Sequence, residues 1–277
     1  MQPINFVFDI DDTIVVHFDP KDWEENTKEI VELYGEKFLN KHTVWAVKYP
    51  HFVFPGIPTL WKWLYSQGHR IAMFSSAVKE RNEELANNMV KLIFQEKAEE
   101  VRPQIKVFSR TDCFDTSRLK NYRDFQPVFF GNYKKVLAGV VVPPEELPWS
   151  FLIDDDRSYM ALHEEYNLIK VVFYTSLTPL SSDSFRNFTY CFKAFYLAGL
   201  FQAIFEMIEN DHITAVEAAK TIQVDNANMP FDHYFSYPTT EDYAFFEKGE
   251  KILKNIDPEA IMPPKIHQMI NNHEYEK

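Results

Sequence analysis

A chain of 277 residues, 45% of them apolar, is long enough to bury a sizeable core, as one large domain or as a catalytic domain with an appendage. Its net charge of −12 repels phosphodiester backbones and argues against general nucleic-acid binding. Two cysteines in no metal-like spacing, Cys113 and Cys191, exclude a thiolate metal cluster and read as free thiols of a reducing compartment.

The chain enters an apolar strand at residues 4–8 with no leader-like segment before it, so a cytoplasmic location is expected. Residues 16–54 separate that strand from its return helix, far more than an ordinary strand–helix loop needs. Within them, 22–39 reads as one amphipathic helix with Trp23, Ile30, Leu33 and Tyr34 apolar among acids and lysines, a small helical lid. Trp23, Trp45 and Tyr49 are expected to pack this lid onto the core, and His17 is a lid residue with no assignable role. A helix over 58–67 carries Leu60, Trp61 and Leu64 on one face and stops at Gly68. A strand at 70–74 follows, then a helix over 79–97 with Leu85, Met89, Leu92 and Ile93 at helical spacing. Further strands are expected at 105–108, 150–153 and 169–174. Strands alternating with helices imply an α/β fold, three-layered around a central parallel sheet.

Beyond residue 175 the chain reads as helical, over 184–209, 215–221 and 240–255, with a turn-rich stretch at 226–238 and a frayed end at 271–277. The apolar run 192–208 contains Lys193, Gln202 and Glu206, so it is a buried helix and not a membrane span. The expected organisation is a catalytic core at 1–178 and a C-terminal helical extension at 179–277 with no assigned role: it could complete the core, dock a protein partner or lie against a membrane.

The chemistry concentrates at Asp9-Ile10-Asp11-Asp12-Thr13. Asp9 directly follows an apolar strand, which places its carboxylate at the strand's C-terminal edge, where open α/β sheets hold their active sites. Asp11, two residues on, lies on the same side if the chain stays extended, and two such carboxylates repel unless a cation or proton lies between them. Mg²⁺ suits the place because it prefers oxygen ligands and also binds phosphate oxygens. Asp9 would attack phosphorus and Asp11 would protonate the leaving alcohol and then activate water. Thr13 would hold the loop's shape, and Asp12 is a bystander pointing away.

This segment matches the Asp-x-Asp-x-Thr signature of the haloacid-dehalogenase-like phosphatase superfamily, and three further motifs follow in order over residues 4–175. The apolar run Ile71-Ala72-Met73-Phe74 ends in Ser75, which the resemblance makes a phosphate-binding hydroxyl, with Ser76 as fallback. Gly131-Asn132-Tyr133-Lys134-Lys135-Val136-Leu137 resembles a stretch of the RNA polymerase II C-terminal-domain phosphatases and their small relatives. That register makes Lys135 the phosphate-binding lysine and leaves Lys134 on the solvated surface. Phe108-Ser109-Arg110-Thr111-Asp112-Cys113 also looks like that subgroup, with Arg110 a substrate-phosphate contact or, preferably, a structural one. Phe151-Leu152-Ile153 ends in Asp154, a metal ligand together with Asp9 and Asp11, and Asp155, a further metal candidate where the subgroup usually has Asn. Asp156 is expected in a surface loop. The resemblance implies a Rossmann-like fold and a Mg²⁺-dependent phosphatase, since phosphatases of the superfamily carry an acid at the position of Asp11. A modest lid favours a phosphorylated protein as substrate. A small phosphomonoester, or a catalytically idle binding fold, are the alternatives.

Overall fold

The computed structural model describes residues 2–116, 133–161, 163–171, 191–224, 240–264 and 267–268. Strand β1 (Asn5–Phe8) leads into the lid, formed by β2 (Val15–His17), helices α1 (Trp23–Tyr34) and α2 (Glu36–Lys41), β3 (Thr43–Ala46) and β4 (Tyr49–Val53). Then come α3 (Ile57–Ser66), β5 (Arg70–Phe74), α4 (Lys79–Phe94), the short α5 (Ala98–Val101) and β6 (Lys106–Phe108). A two-stranded ribbon, β7 (Phe114–Asp115) with β8 (Tyr133–Lys134), precedes β9 (Ser150–Asp154) and β10 (Leu168–Lys170). The C-terminal part supplies α6 (Lys193–Asp211), α7 (Ala215–Val224) and α8 (Thr240–Ile256).

Five strands make a parallel sheet in the order β10-β9-β1-β5-β6. The chain winds outward from β1 through β5 to β6, then returns to the other side of β1 for β9 and β10. The connection reverses between β1 and β9, the crevice where open α/β sheets bind ligands. Strand residues alternate between two packed faces, as a two-residue period requires. Phe6, Phe8, Ile71, Met73, Phe151 and Ile153 face the main core under α3, α4 and α6. Val7, Ala72, Phe74, Leu152 and Leu168 face a smaller cluster closed by Leu137, Val141, Val142 and Met160. All five central strands thus fall where the apolar runs place them; residues 172–174 of the last run lie outside the described residues, as do 184–190, 226–238 and 271–277.

Two expectations are corrected. The lid is not one helix: Gly35, with φ of +80°, ends α1 and starts α2, and the rest is an antiparallel sheet in the order β2-β4-β3. Its hairpin turns at Val47 and Lys48, both with positive φ, and leaves Trp45 and Tyr49 about half exposed instead of packed inward.

The second correction concerns residue 178, which is not the edge of the core. Helix α6 is buried over most of its length, with Phe201 ring-to-ring against Phe6 at 4.5 Å and Phe205 against Trp63 at 5.5 Å. Helix α8 crosses α6 at a glycine contact: a Cβ on Gly249 would meet the Phe195 carbonyl at 1.7 Å, and one on Gly199 the Phe245 carbonyl at 2.0 Å. Among the described residues no helix is long and apolar enough to cross a membrane.

Candidate active site

Asp9 and Asp154 end the neighbouring strands β1 and β9, level with each other in the register that pairs Phe8 with Ile153. The Asp9 amide donates to the Ile153 carbonyl at 2.8 Å. Carboxylate oxygens of Asp9, Asp154 and Asp155 come within 4.8 Å of one another, all three buried. Lys135 projects between two of them. Its ammonium bonds Asp9 Oδ1 and, at 2.6 Å, Asp154 Oδ2, and it lies 4.6 Å from the centre of the Tyr159 ring. Its backbone N–H is fixed to the Tyr159 carbonyl at 2.7 Å.

The loop after β1 turns tightly. The amides of Ile14 and Val15 donate to the Ile10 carbonyl at 3.0 and 3.1 Å, and the Asp12 amide donates to the Val15 carbonyl at 2.7 Å. This puts Asp12 at φ of +61°, a left-handed position that aspartate tolerates better than bulkier residues. Thr13 fastens the loop across to β9: its hydroxyl donates to Asp155 Oδ1 at 2.8 Å and accepts from the Asp155 amide at 3.1 Å. The Asp12 carbonyl accepts from the ammonium of Lys193, the first residue of α6, at 2.6 Å. The Asp12 backbone thus has a fixed partner, and Lys134 is not on the surface: it is 1% exposed and bonds the Ser158 carbonyl. Asp156 sits in its expected loop, accepting from Ser158.

Burial dominates the site's electrostatics. It raises the Asp9 carboxyl well above its usual range, reinforced by Asp154 and Asp155 and opposed by Lys135. It pushes Asp154 up to about 6 and Asp12 to about 7, and raises Asp155. Burial also works against the Lys135 charge, but Asp154 and Asp9 outweigh it and hold the ammonium above its ordinary value. Four carboxyl groups (Asp9, Asp12, Asp154, Asp155) face two ammonium groups (Lys135, Lys193), an excess of two negative charges if all are ionised. A divalent cation neutralises that excess, and an all-oxygen donor set of this kind suits a hard ion such as Mg²⁺.

Asp11 leaves this cluster. Both of its carboxylate oxygens accept from the guanidinium of Arg81 in the first turns of α4, one of them at 2.9 Å. The Ser75 hydroxyl donates to Asp11 at 3.2 Å and accepts from the Ala77 amide at 3.1 Å. Among the described residues, the carboxylates close enough together to share a metal ion are thus Asp9, Asp154 and Asp155, and the Asp11 side chain bonds elsewhere. Ser76 donates to the Tyr159 hydroxyl at 3.2 Å, away from Asp9. Arg110 donates to the Ser76 carbonyl at 2.7 Å and lies 5.9 Å from the Tyr133 ring centre. Gly131 and Asn132 lie outside the described residues. His17 stands 3.8 Å from Asp11, and buried His51 lies 3.4 Å from Arg81. Burial and the adjacent guanidinium hold His51 down near 4, so it is neutral.

Arg81 and Lys193 bond the loop after β1 from outside the motifs. For Arg81 the available signal is its place, one helical turn after a strand that ends in the site. For Lys193 it is a charge inside an otherwise apolar helix.

The strand order, with acids at the ends of two adjacent strands and a lysine between them, makes this a Rossmann-like α/β fold around a central parallel sheet. No protein-family model and no curated protein matches it. Among solved structures it is similar to a variant of the fission yeast RNA polymerase II CTD phosphatase Fcp1 bound to beryllium fluoride, at 17% identity and a TM-score of 0.38 over 62% of this chain and 42% of that one. It is also similar to a structure of Fcp1 described as an essential RNA polymerase II CTD phosphatase, at 15% identity and a TM-score of 0.36, over 99% of this chain and 63% of that one. This chain therefore spans less than two thirds of either.

Proposed function

We propose that this protein is a Mg²⁺-dependent phosphatase that hydrolyses phosphomonoesters through an acyl phosphate on Asp9, with phosphorylated protein side chains as substrates. The observation that carries the reading is the buried trio Asp9, Asp154 and Asp155 at the reversal point of the sheet, with Lys135 bonded to two of its members. A carboxylate at that position, flanked by a fixed cation and oxygen ligands for a metal, is built to meet a phosphoryl group. Mg²⁺, held by Asp9, Asp154 and Asp155, would supply a Lewis acid for the phosphoryl oxygens.

Asp9 attacks phosphorus, forming a P–O bond as the ester P–O bond breaks. Asp11 gives its proton to the departing alkoxide. Water then attacks the Asp9-bound phosphorus, Asp11 takes the water's proton, and the bond between Asp9 and phosphorus breaks to release orthophosphate. Lys135 and the Ser75 hydroxyl orient the phosphoryl oxygens throughout. While Asp11 accepts two hydrogen bonds from Arg81 it is set for the second half of this cycle. Transfer of Arg81 onto the incoming phosphate frees Asp11 to carry a proton for the first half.

A protein substrate is favoured by the lid, whose hairpin leaves Trp45, Val47 and Tyr49 exposed. Aromatic side chains presented on a small flap suit contact with a polypeptide. Hydrolysis of a chromogenic phosphomonoester, with and without EDTA, tests the chemistry. Activity that requires Mg²⁺ and is abolished in Asp9→Asn is the expected result. Equal turnover by wild type and Asp9→Asn would overturn it. A phosphopeptide panel beside sugar and nucleotide phosphates tests the substrate class, with kcat/KM expected to be highest on phosphopeptides.

A further inference from the structure

Helix α6 opens with a lysine where neither helix nor core favours one. A cation at a helix N-terminus opposes the helix dipole, and a fully buried lysine is rare without compensation. Lys193 is 0% exposed all the same. Burial draws its ammonium down to about 8, against the attraction of Asp155, Asp12 and Asp9.

The geometry explains the placement. The ammonium donates to the Asp12 carbonyl at 2.6 Å and lies 4.3 Å from the centre of the Phe54 ring. Phe54 is itself tied to the loop, its amide donating to the Ile14 carbonyl at 3.0 Å. The start of α6 is packed close against Gly56, two residues after Phe54: a Cβ there would lie 3.0 Å from the Ala194 Cβ and 3.1 Å from the Phe195 ring. One side chain from the C-terminal part thus grips the left-handed residue of the turn that carries both Asp9 and Asp11.

We propose that Lys193 is a positioning residue: its bond to the Asp12 carbonyl holds the turn that aims Asp9 and Asp11, which makes α6 part of the catalytic centre. The bond is charge-assisted and sheltered from water, the condition in which such contacts hold a loop most firmly. The inference rests on the phosphatase reading for its catalytic consequence and on the loop geometry alone for its structural one.

The test uses the full chain with Lys193→Met, which keeps an unbranched apolar stem, ends one atom short of the ammonium and removes the donor. Removing one member of a buried charge group leaves the Asp12 carbonyl and the nearby carboxylates less compensated, so the Tm is expected to fall, and both readouts are taken per folded molecule, well below it. Hydrogen exchange in peptides spanning residues 9–17 is expected to quicken roughly tenfold, with other regions unchanged. The value of kcat is expected to fall about a hundredfold at nearly constant KM, the usual cost of a small misplacement of reacting groups. A purely structural role would lower the Tm in the same way but leave kcat per folded molecule as it was. Loop exchange and kcat both at wild-type level would overturn the inference. If Lys193→Met does not fold, Lys193→Gln, one atom too short to make the bond, carries the same two readouts: a faster loop and a lower kcat support the role, and wild-type values for both overturn it. A wild type that hydrolyses nothing sinks the phosphatase reading, while loop exchange in the variant still decides whether Lys193 holds the turn.

Discussion

Arg81 connects the rim of the site to its chemistry. It is 13% exposed at the side chain and reaches Asp11 with both terminal nitrogens, a fork that also matches two phosphoryl oxygens. Arg81→Gln should therefore lose a charge-assisted contact, lowering kcat/KM by roughly 10- to 100-fold, mainly through KM, as follows from about 1.5–3 kcal/mol for such bonds. Steady-state kinetics on a phosphomonoester decide it: a KM unchanged within twofold would place Arg81 outside substrate binding. At this scale the residues legible in the sequence are those whose role follows from a strand end. Asp9, Ser75 and Asp154 each stop an apolar run, and chain direction alone aims them at the crevice. Arg81 and Lys193 arrive from helices, where the rotation of the helix about its axis decides what a side chain meets. Asp11 was legible as an acid beside the site, but its partner was not, because that partner lies on α4.

The pairing of α6 with α8 shows what helical periodicity leaves out. Apolar spacing marks both helices, yet their closeness depends on Gly199 and Gly249, which a hydrophobic pattern treats as gaps. Gly249→Ala would drive a methyl group into the Phe195 carbonyl, so the helices must part. The expected cost is about 2–3 kcal/mol, a Tm lower by roughly 5–10 °C in thermal denaturation. Gly68→Ala is the control: nothing lies within 4 Å, so only its positive φ of 79° is penalised, by about 1–2 kcal/mol. Equal melting temperatures for the two variants would mean that the close crossing is not needed. The lid's sheet was illegible for a related reason. Its strands are three to five residues long, and its hairpin turns on Val47-Lys48, with none of the Gly or Asn that announces such a turn.

For the molecule as a whole, the question is whether the C-terminal helices are an appendage. Alternating strands and helices gave the sheet and its order of elements, but nothing local says that a helix from beyond residue 190 closes the sheet's main face. That face is closed by α6. Phe195, Leu197, Leu200, Phe201, Ile204, Phe205 and Ile208 are all buried there, in one cluster with Phe6, Phe151 and Trp63. Each such side chain is worth about 1.5–3 kcal/mol on burial, so the helix contributes on the order of 10–20 kcal/mol of transfer free energy before the entropy of ordering it. A whole domain keeps only about 5–15 kcal/mol of net stability. A chain ending at residue 178 would expose Phe6 and Trp63 to water and lose Lys193 together with them. It is therefore expected to aggregate, or to retain far-ultraviolet circular dichroism while losing the near-ultraviolet signal and binding a hydrophobic dye. The phosphatase activity proposed for the full chain should be absent from it even in saturating Mg²⁺, because the turn carrying Asp9 and Asp11 loses its anchor along with the face beneath it. A shortened chain that melted in one sharp transition and kept the full-length kcat would show that the sheet closes without α6, and would remove the basis for treating the two regions as one cooperative unit.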